Sequence, residues 1–419
     1  MKPLSKDLTY FLSGSVFLGF SSAYSLLVPV VIIPYIIKTV GLNNYGLSVI
    51  AFSATFFLSL IIDYGYTISG VNSLSKSKSD DEKGKIISKA LYTKLILFLG
   101  LLLLSGLLVV LVPYLWEHRV LFSLSMAIPL SSIFNLNWGL QGLQMIKPLC
   151  GVSILNKTIY LIGILLFVKS TGDYIYINFV FGLGAIAAGL LSLYLIKRRI
   201  PLSAIKFTFS DFISEINESI HYFVSNISIY VSTSLYPIIL GFFVSAEIVG
   251  VFAAIEKIYN VMRAPFSIYI NLMLPRISFK VEKSLKEAIV SIKNTYIFVV
   301  GFILIITLIV INFQIEIVRY FVKDYFDLSI HLLQTACAGI ILVLFNCPIY
   351  LLLVAMDQRK AIMKTFLFVP VVGIITCLAL SKFYGAKGAF YTIVFVEFSY
   401  VVSLNVLFYV RKNIFRKGA

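Results

Sequence analysis

The chain of 419 residues is 59% hydrophobic and only 13% charged, and it carries a formal net charge of +16. A soluble protein of this length needs far more polar surface, so this composition excludes the soluble globular classes. Runs such as LILFLGLLLLSGLLVVLV are apolar on every face, which excludes a membrane β-barrel with its alternating strands. We therefore expect an all-α polytopic membrane protein.

Twelve transmembrane helices fit the apolar runs between polar breaks, since one crossing needs about 20 apolar residues. In chain order, the predicted spans are residues 11–37, 47–70, 90–112, 120–141, 150–168, 175–196, 217–243, 247–274, 289–312, 330–356, 362–381 and 388–410. The first run is too long for a cleavable signal, so we expect it to be a retained span. An even number of spans places both termini on one side.

The distribution of Lys and Arg predicts which side that is. With the termini inside, the inner segments hold 23 of these residues and the outer loops hold seven. By the positive-inside rule, both termini are cytoplasmic. The basic loops then lie against an anionic leaflet, which explains the net charge without a nucleic-acid partner.

Two stretches half a chain apart share one pattern. PYIIKTVGLNNYGLSVIAFSA (34–54) and PIILGFFVSAEIVGVFAAIEK (237–257) each run from Pro through a polar break to Gly and an apolar helix. The similarity predicts two parallel six-helix lobes, residues 1–200 and 201–419, related by an axis along the membrane normal. In transporters built this way, the pathway is a central cavity between the lobes.

Charged residues within the eighth span are the main candidates for a site. Glu256, Asn260 and Arg263 follow an i, i+4, i+7 spacing on one helix face, and Lys257 lies about 100° away. All lie near the middle of the hydrocarbon layer, where a charge facing lipid costs at least about 2.5–3.5 kcal/mol. They therefore face protein or water. Either Glu256 pairs structurally with Arg263 or Lys257, or the surplus positive charge binds an anionic group.

Other ionisable residues within spans give further candidates. Lys157 in the fifth span either lines a cavity or pairs with a neighbouring helix. Asp63 and Glu397, together with Glu256, can bind a coupling cation, although Asp63 is also placed to cap a helix. Lys94 is near a cytoplasmic end and is expected to extend its side chain towards the interface.

Catalytic chemistry has few candidates in this sequence. There are three histidines, and no metal-ligand or nucleophile motif is present. The four cysteines (Cys150, Cys337, Cys347, Cys377) lie in or beside apolar runs, where free buried thiols are expected. We expect no enzyme activity, no cofactor and no metal.

Four stretches resemble one known family, the bacterial polysaccharide-specific transporters, which include flippases for O-antigen repeat units. They are PYIIKTVGLNNYG (34–46), DYGYTISGVNSLSKSKSDDEK (63–83), WGLQGLQMIK (138–147) and YPIILGFFVSAEIVGVFAAIEKI…LPRIS (236–278). The resemblance implies a twelve-helix, two-lobed bundle of the superfamily that includes multidrug exporters. Within the third stretch, Trp138 and Gln141 are candidates for sugar contact, although Trp is also typical of a membrane interface.

The function implied by this resemblance is translocation of undecaprenyl-diphosphate-linked oligosaccharide to the periplasmic leaflet of the bacterial inner membrane. Lys257, Arg263, Lys157, Asn260 and Gln141 are then the substrate-binding candidates. Expected partners are the lipid-linked oligosaccharide and membrane lipid, with a polysaccharide polymerase and a chain-length regulator as further candidates. Two alternatives remain: a cation-coupled drug exporter of the same superfamily, which favours an acidic cavity, and a membrane-embedded glycan polymerase, which requires long outer loops.

Overall fold

The computed structural model describes residues 6–202, 206–322 and 324–418. Within those ranges it leaves undescribed the side chains of residues 6–16, 18, 225–226, 228–234, 275, 282–283, 359–360 and 411–418. The described residues form helices and loops without a β-strand, which confirms the all-α class. Residues 1–5 and 419, the chain ends predicted to be cytoplasmic, lie outside the described residues.

Seventeen α-helices and one short 3-10 helix follow one another along the described residues. The α-helices are α1 (Lys6–Val40), α2 (Leu42–Asp63), α3 (Tyr66–Lys76), α4 (Asp80–Leu111), α5 (Pro113–Glu117), α6 (Arg119–Ser125), α7 (Ala127–Phe134), α8 (Asn137–Gly142), α9 (Ile146–Phe167), α10 (Tyr176–Lys197), α11 (Phe209–Ser234), α12 (Tyr236–Gly241), α13 (Ala246–Lys283), α14 (Leu285–Asn312), α15 (Gln314–Phe321), α16 (Phe326–Ala355) and α17 (Arg359–Gly418). The 3-10 helix, Thr171–Ile175, lies between α9 and α10.

The described helices accommodate the twelve predicted crossings. Nine helical segments of the described chain are long and apolar enough to cross a membrane. The last of them, Ala361–Val410, has 50 residues and is interrupted at Gly385 (φ 56°, ψ −134°), so it supplies two crossings. The other two predicted crossings are α11 with α12, and α13, whose sequences are less apolar.

The helix α4 illustrates how local sequence sets an element. The Ser79 hydroxyl accepts a hydrogen bond from the backbone N–H of Glu82 at 3.2 Å and caps the helix. Three acidic residues in the first turn complement the positive end of the helix dipole. Further along, Leu103 and Val110 are strongly exposed, as expected for a helix surrounded by lipid.

The chain forms two compact units, Met1–Leu235 and Tyr236–Ala419. In the first unit, α10 packs on α7 and α9, and α9 packs on α1. In the second, α16 packs on α13 and α17. The helix α11 packs on α2, α3 and α4, so residues 201–235 belong to the first unit, although we expect the first lobe to end at residue 200. The division into six-helix lobes 1–200 and 201–419 stays a prediction.

Small residues allow close packing of α10, as the run GLGAIAAG predicts. A Cβ atom at Gly184 would lie 2.8 Å from the carbonyl oxygen of Asn156, and one at Gly189 would lie 2.7 Å from that of Phe134. Larger side chains at these positions would force the helices apart. The prediction for the four cysteines is also confirmed, since all are free and buried.

Candidate functional site

The helix α13 carries the polar residues that the sequence places at membrane depth. Its apolar side is buried against α14 and α16. Glu256, Lys257 and Arg263 are half-buried, and Asn260 is exposed. The polar residues therefore lie on the accessible side of the helix, where a charge in a membrane must meet water or protein.

Arg263 pairs with Glu397 of α17. The guanidinium Nη2 lies 2.9 Å from Glu397 Oε1, and the Glu397 side chain is only 3% exposed. The same carboxylate accepts hydrogen bonds from the Tyr259 hydroxyl at 3.2 Å and from Asn346 Nδ2 at 3.0 Å. Asn346 lies on α16, so this one carboxylate joins three helices of the second unit. Three donors around a buried carboxylate offset much of the cost of burying its charge.

The sequence leaves two pairings open for Glu256, with Arg263 or with Lys257, and Arg263 instead pairs with Glu397. Glu256 lies close to Lys257 and Asn260 on its own helix, so Lys257 stays the alternative partner for it. The helical spacing of Glu256 and Arg263 is as expected, but a carboxylate on another helix lies closer to the guanidinium. The sequence missed Glu397 as the partner because spacing along one helix gives no information about packing between helices.

Four charged residues, Glu256, Lys257, Arg263 and Glu397, form a charge cluster at α13. Its cations can bind an anion if that anion shares them with the two carboxylates or replaces a carboxylate as their partner. Two carboxylates (Glu256 and Glu397) balance two cations (Lys257 and Arg263), so the cluster has no surplus charge. Arg263 nevertheless keeps 40% of its side-chain surface exposed. A guanidinium has five N–H donors in a planar fork, so one carboxylate does not exhaust it. Among the described residues, no group of three or more His, Cys, Asp or Glu is placed to hold a metal ion.

Lys157 lines a polar cavity within the first unit. The cavity has a volume of about 180 Å³. Its lining is Ser25, Ser131, Asn135, Asn137, Val152, Ser153, Asn156, Lys157, Ala185, Ala188 and Gly189. The Lys157 ammonium lies 5.0 Å from the centre of the Phe181 ring. The buried Oδ1 of Asn156 has no hydrogen-bond partner. Hydroxyls, amides and one cation therefore line the cavity.

Asp63 and Lys94 form a second buried ion pair. Lys94 Nζ lies 2.9 Å from Asp63 Oδ1, and the Lys94 side chain is fully buried. Its ammonium also lies 5.5 Å from the Tyr66 ring and 5.9 Å from the Trp138 ring. The expected extension of Lys94 to the interface is therefore wrong. Asp63 does hold the start of the next helix, because its Oδ2 accepts from the hydroxyl and the amide of Thr67.

The remaining sugar-contact candidates lie apart from the cavity lining. Trp138 is buried and stacks on Tyr66 with ring centres 5.8 Å apart, so it is a core residue and not an interfacial one. Gln141 is exposed at the end of α8. The structure thus brings Glu256, Lys257 and Asn260 together on α13, where Arg263 pairs with Glu397 of α17. The other candidates, Lys157, Asp63 and Gln141, lie in the first unit.

Comparisons with known proteins agree with this architecture. A family model described as "Polysaccharide biosynthesis protein" matches residues 11–280. A curated relative from Escherichia coli (strain K12), named "Putative O-antigen transporter", is 21% identical over 67% of this chain and 68% of its own. A relative of the same name from Shigella dysenteriae is 26% identical over 55% of this chain and 58% of its own length.

Solved structures share the fold. A structure described as the lipid II flippase MurJ in an inward closed conformation aligns with a TM-score of 0.74. The alignment covers 96% of this chain and 87% of that chain, at 18% sequence identity. At this level of identity the likeness establishes the polytopic transporter fold and no residue role.

Proposed function

Because this chain belongs to the polysaccharide biosynthesis protein family, we propose that it is a flippase for undecaprenyl-diphosphate-linked oligosaccharides. It moves O-antigen or similar repeat units from the cytoplasmic to the periplasmic leaflet of the bacterial inner membrane. The lipid tail stays in the bilayer while the sugar crosses a wet cavity by alternating access. The chain itself is a multi-pass membrane protein with a transporter fold.

The observation that carries this proposal is the pair of accessible cations on α13. The sequence predicts that Lys257 and Arg263 lie at membrane depth, where charged residues mark substrate pathways. A diphosphate presents several oxygens that a guanidinium binds in a bidentate manner. Because Glu397 already contacts Arg263, an arriving diphosphate shares or displaces this internal counter-ion. Asn260, exposed one turn from Glu256, can donate a hydrogen bond to the same group.

The cavity around Lys157 supports binding of the sugar portion. Neutral amides and hydroxyls are the groups that hydrogen-bond to carbohydrate hydroxyls, and a volume of about 180 Å³ is on the scale of one monosaccharide. Asn135, which is exposed and lines this cavity, would hydrogen-bond to a sugar hydroxyl. In this proposal, Gln141 is a further sugar contact outside the cavity lining.

Coupling to a cation is assigned to Glu256 or Glu397 within the same proposal. Both carboxylates are associated with the α13 cations, so protonation of either changes the charge that an anionic substrate meets. Asp63 is a weaker candidate, because its partner Lys94 is fully buried, whereas Arg263, the partner of Glu397, keeps 40% of its side chain exposed. Cytoplasmic termini, and contact with a polymerase and a chain-length regulator, complete the proposal.

Complementation of a flippase-deficient strain tests the assignment. Lys257→Ala and Arg263→Ala should each abolish surface polysaccharide at matched protein level, and reversal to Glu should be worse because it repels a diphosphate. Lys85→Ala is the matched control, since Lys85 pairs with Asp81 on the exposed start of α4. Full complementation by both α13 variants would refute anion binding there.

A further inference from the structure

A basic groove lies between the end of α13 and the start of α14, outside the cluster described above. It has a volume of about 400 Å³ and is lined by Arg276, Lys280, Lys286, Glu287, Val290, Ser291, Asn294 and Thr295. Three cations and one carboxylate leave a surplus of positive charge. The groove is therefore suited to an anion.

The inner part of the groove offers hydroxyl and amide groups. Ser291 is buried, and the Thr295 hydroxyl lies 2.9 Å from both the Ser291 carbonyl oxygen and the Tyr269 hydroxyl. Asn294 is exposed beside them. The N-terminus of α14, which has no side-chain cap, adds the positive end of a 28-residue helix near Lys286.

Apolar side chains continue from this basic groove along both helices. Val290 and Ile297 on α14, and Leu272 and Phe279 on α13, are all strongly exposed. Exposed apolar residues beside a basic groove fit a molecule with an anionic head and a hydrocarbon tail. A small soluble anion would use the cations and leave the apolar surface uncovered.

The groove also opens away from the α13 charge cluster. Arg276 follows Arg263 by 13 positions, which on an ideal helix is about 20 Å along the axis and about 220° around it. The two arginines therefore lie on nearly opposite sides of α13. A molecule held by Arg276 in this groove is therefore about 20 Å along the helix axis from Arg263.

We propose that the groove lined by Arg276, Lys280 and Lys286 binds the phosphate headgroup of an anionic phospholipid. Basic pockets between transmembrane helices bind anionic headgroups in this way. With the orientation argued from Lys and Arg, the lipid belongs to the cytoplasmic leaflet. The site ties α13 to α14 from the lipid side and does not depend on what the protein transports.

Native mass spectrometry of the full chain, with phosphatidylglycerol or phosphatidylcholine added in detergent, tests this proposal. The wild type should retain one phosphatidylglycerol more than the triple variant Arg276→Gln, Lys280→Gln, Lys286→Gln. Each removed charge should weaken binding about fivefold, and all three together on the order of a hundredfold. Phosphatidylglycerol should also raise the melting temperature of the wild type and not that of the triple variant.

A second triple variant serves as a control for net charge. Neutralising Lys197, Arg198 and Arg199 at the end of α10 removes the same charge from another site and should leave phosphatidylglycerol retention unchanged. The charge-preserving variant Lys280→Arg should bind as the wild type does. An unchanged melting temperature of the lipid-free triple variant excludes misfolding as the cause of a loss. Equal retention by the two triple variants would overturn the proposal. Equal protection by inorganic phosphate would also overturn it, because it would show an anion site without a lipid.

Discussion

The ion pair between Arg263 and Glu397 predicts an asymmetry in stability when each partner is removed. Arg263→Gln leaves Glu397 with 3% exposure, still contacted by Tyr259 and Asn346 but without a counter-ion. Glu397→Gln leaves Arg263, whose side chain keeps 40% exposure. Arg263→Gln therefore leaves a buried carboxylate without a counter-ion. Glu397→Gln leaves a guanidinium that is already partly exposed without one.

The magnitudes follow from the burial of the stranded group. Removing one partner of a buried pair costs about 3–5 kcal/mol, because the other charge is left uncompensated. The two remaining donors to Glu397 reduce that cost, so we expect about 3 kcal/mol for Arg263→Gln. In the proposed pathway water solvates the exposed part of Arg263, so Glu397→Gln should cost only about 1 kcal/mol, as at an exposed ion pair. The double variant, with no charge to strand, should be more stable than Arg263→Gln alone.

Thermal unfolding of the wild type, the two single variants and the double variant in one detergent ranks their stabilities. Lys85→Gln, at an exposed ion pair, should be close to the wild type. A complementation assay at matched protein level then separates fold from transport. If Glu397→Gln destabilises the chain as much as Arg263→Gln, the argument from stranded charge is wrong. If the double variant is as unstable as the sum of the single variants, the two residues are not coupled.

Three further predictions concern topology, helix packing and the second ion pair. A cysteine replacing Lys78 should be shielded from an impermeant thiol reagent in intact cells, and one replacing Thr171 should be labelled; the reverse pattern would overturn the orientation. Gly189→Val should lower the melting temperature, at a cost of about 1–3 kcal/mol, because a Cβ there would lie 2.7 Å from a backbone oxygen of α7. Asp63→Asn should cost about 3–5 kcal/mol by stranding the fully buried Lys94, and adding Lys94→Met should recover part of that loss; unchanged melting of Asp63→Asn would show that the pair contributes no stability.

The sequence by itself determined the class of the protein and the helix that carries its charges. A long run that is apolar on every face crosses a membrane as an α-helix, because every backbone polar group must be hydrogen-bonded within the segment. Helix geometry is fixed, so the shared face of Glu256, Asn260 and Arg263 follows from their spacing alone. The glycines and alanines of α10 likewise predicted close packing, because only small side chains permit it.

Only the tertiary structure decided which charges meet. Glu397 reaches Arg263 because α17 packs on α13 in the second unit. Lys94 reaches Asp63 because α4 packs on α2 in the first unit. Those pairings depend on the register and rotation of one helix against another, which hydropathy does not encode. The cavity at Lys157 has the same origin, since its lining comes from several helices brought together by packing. The spacing of residues predicts which of them share a face of one helix. The partner of a buried charge lies on another helix and depends on how the two helices pack.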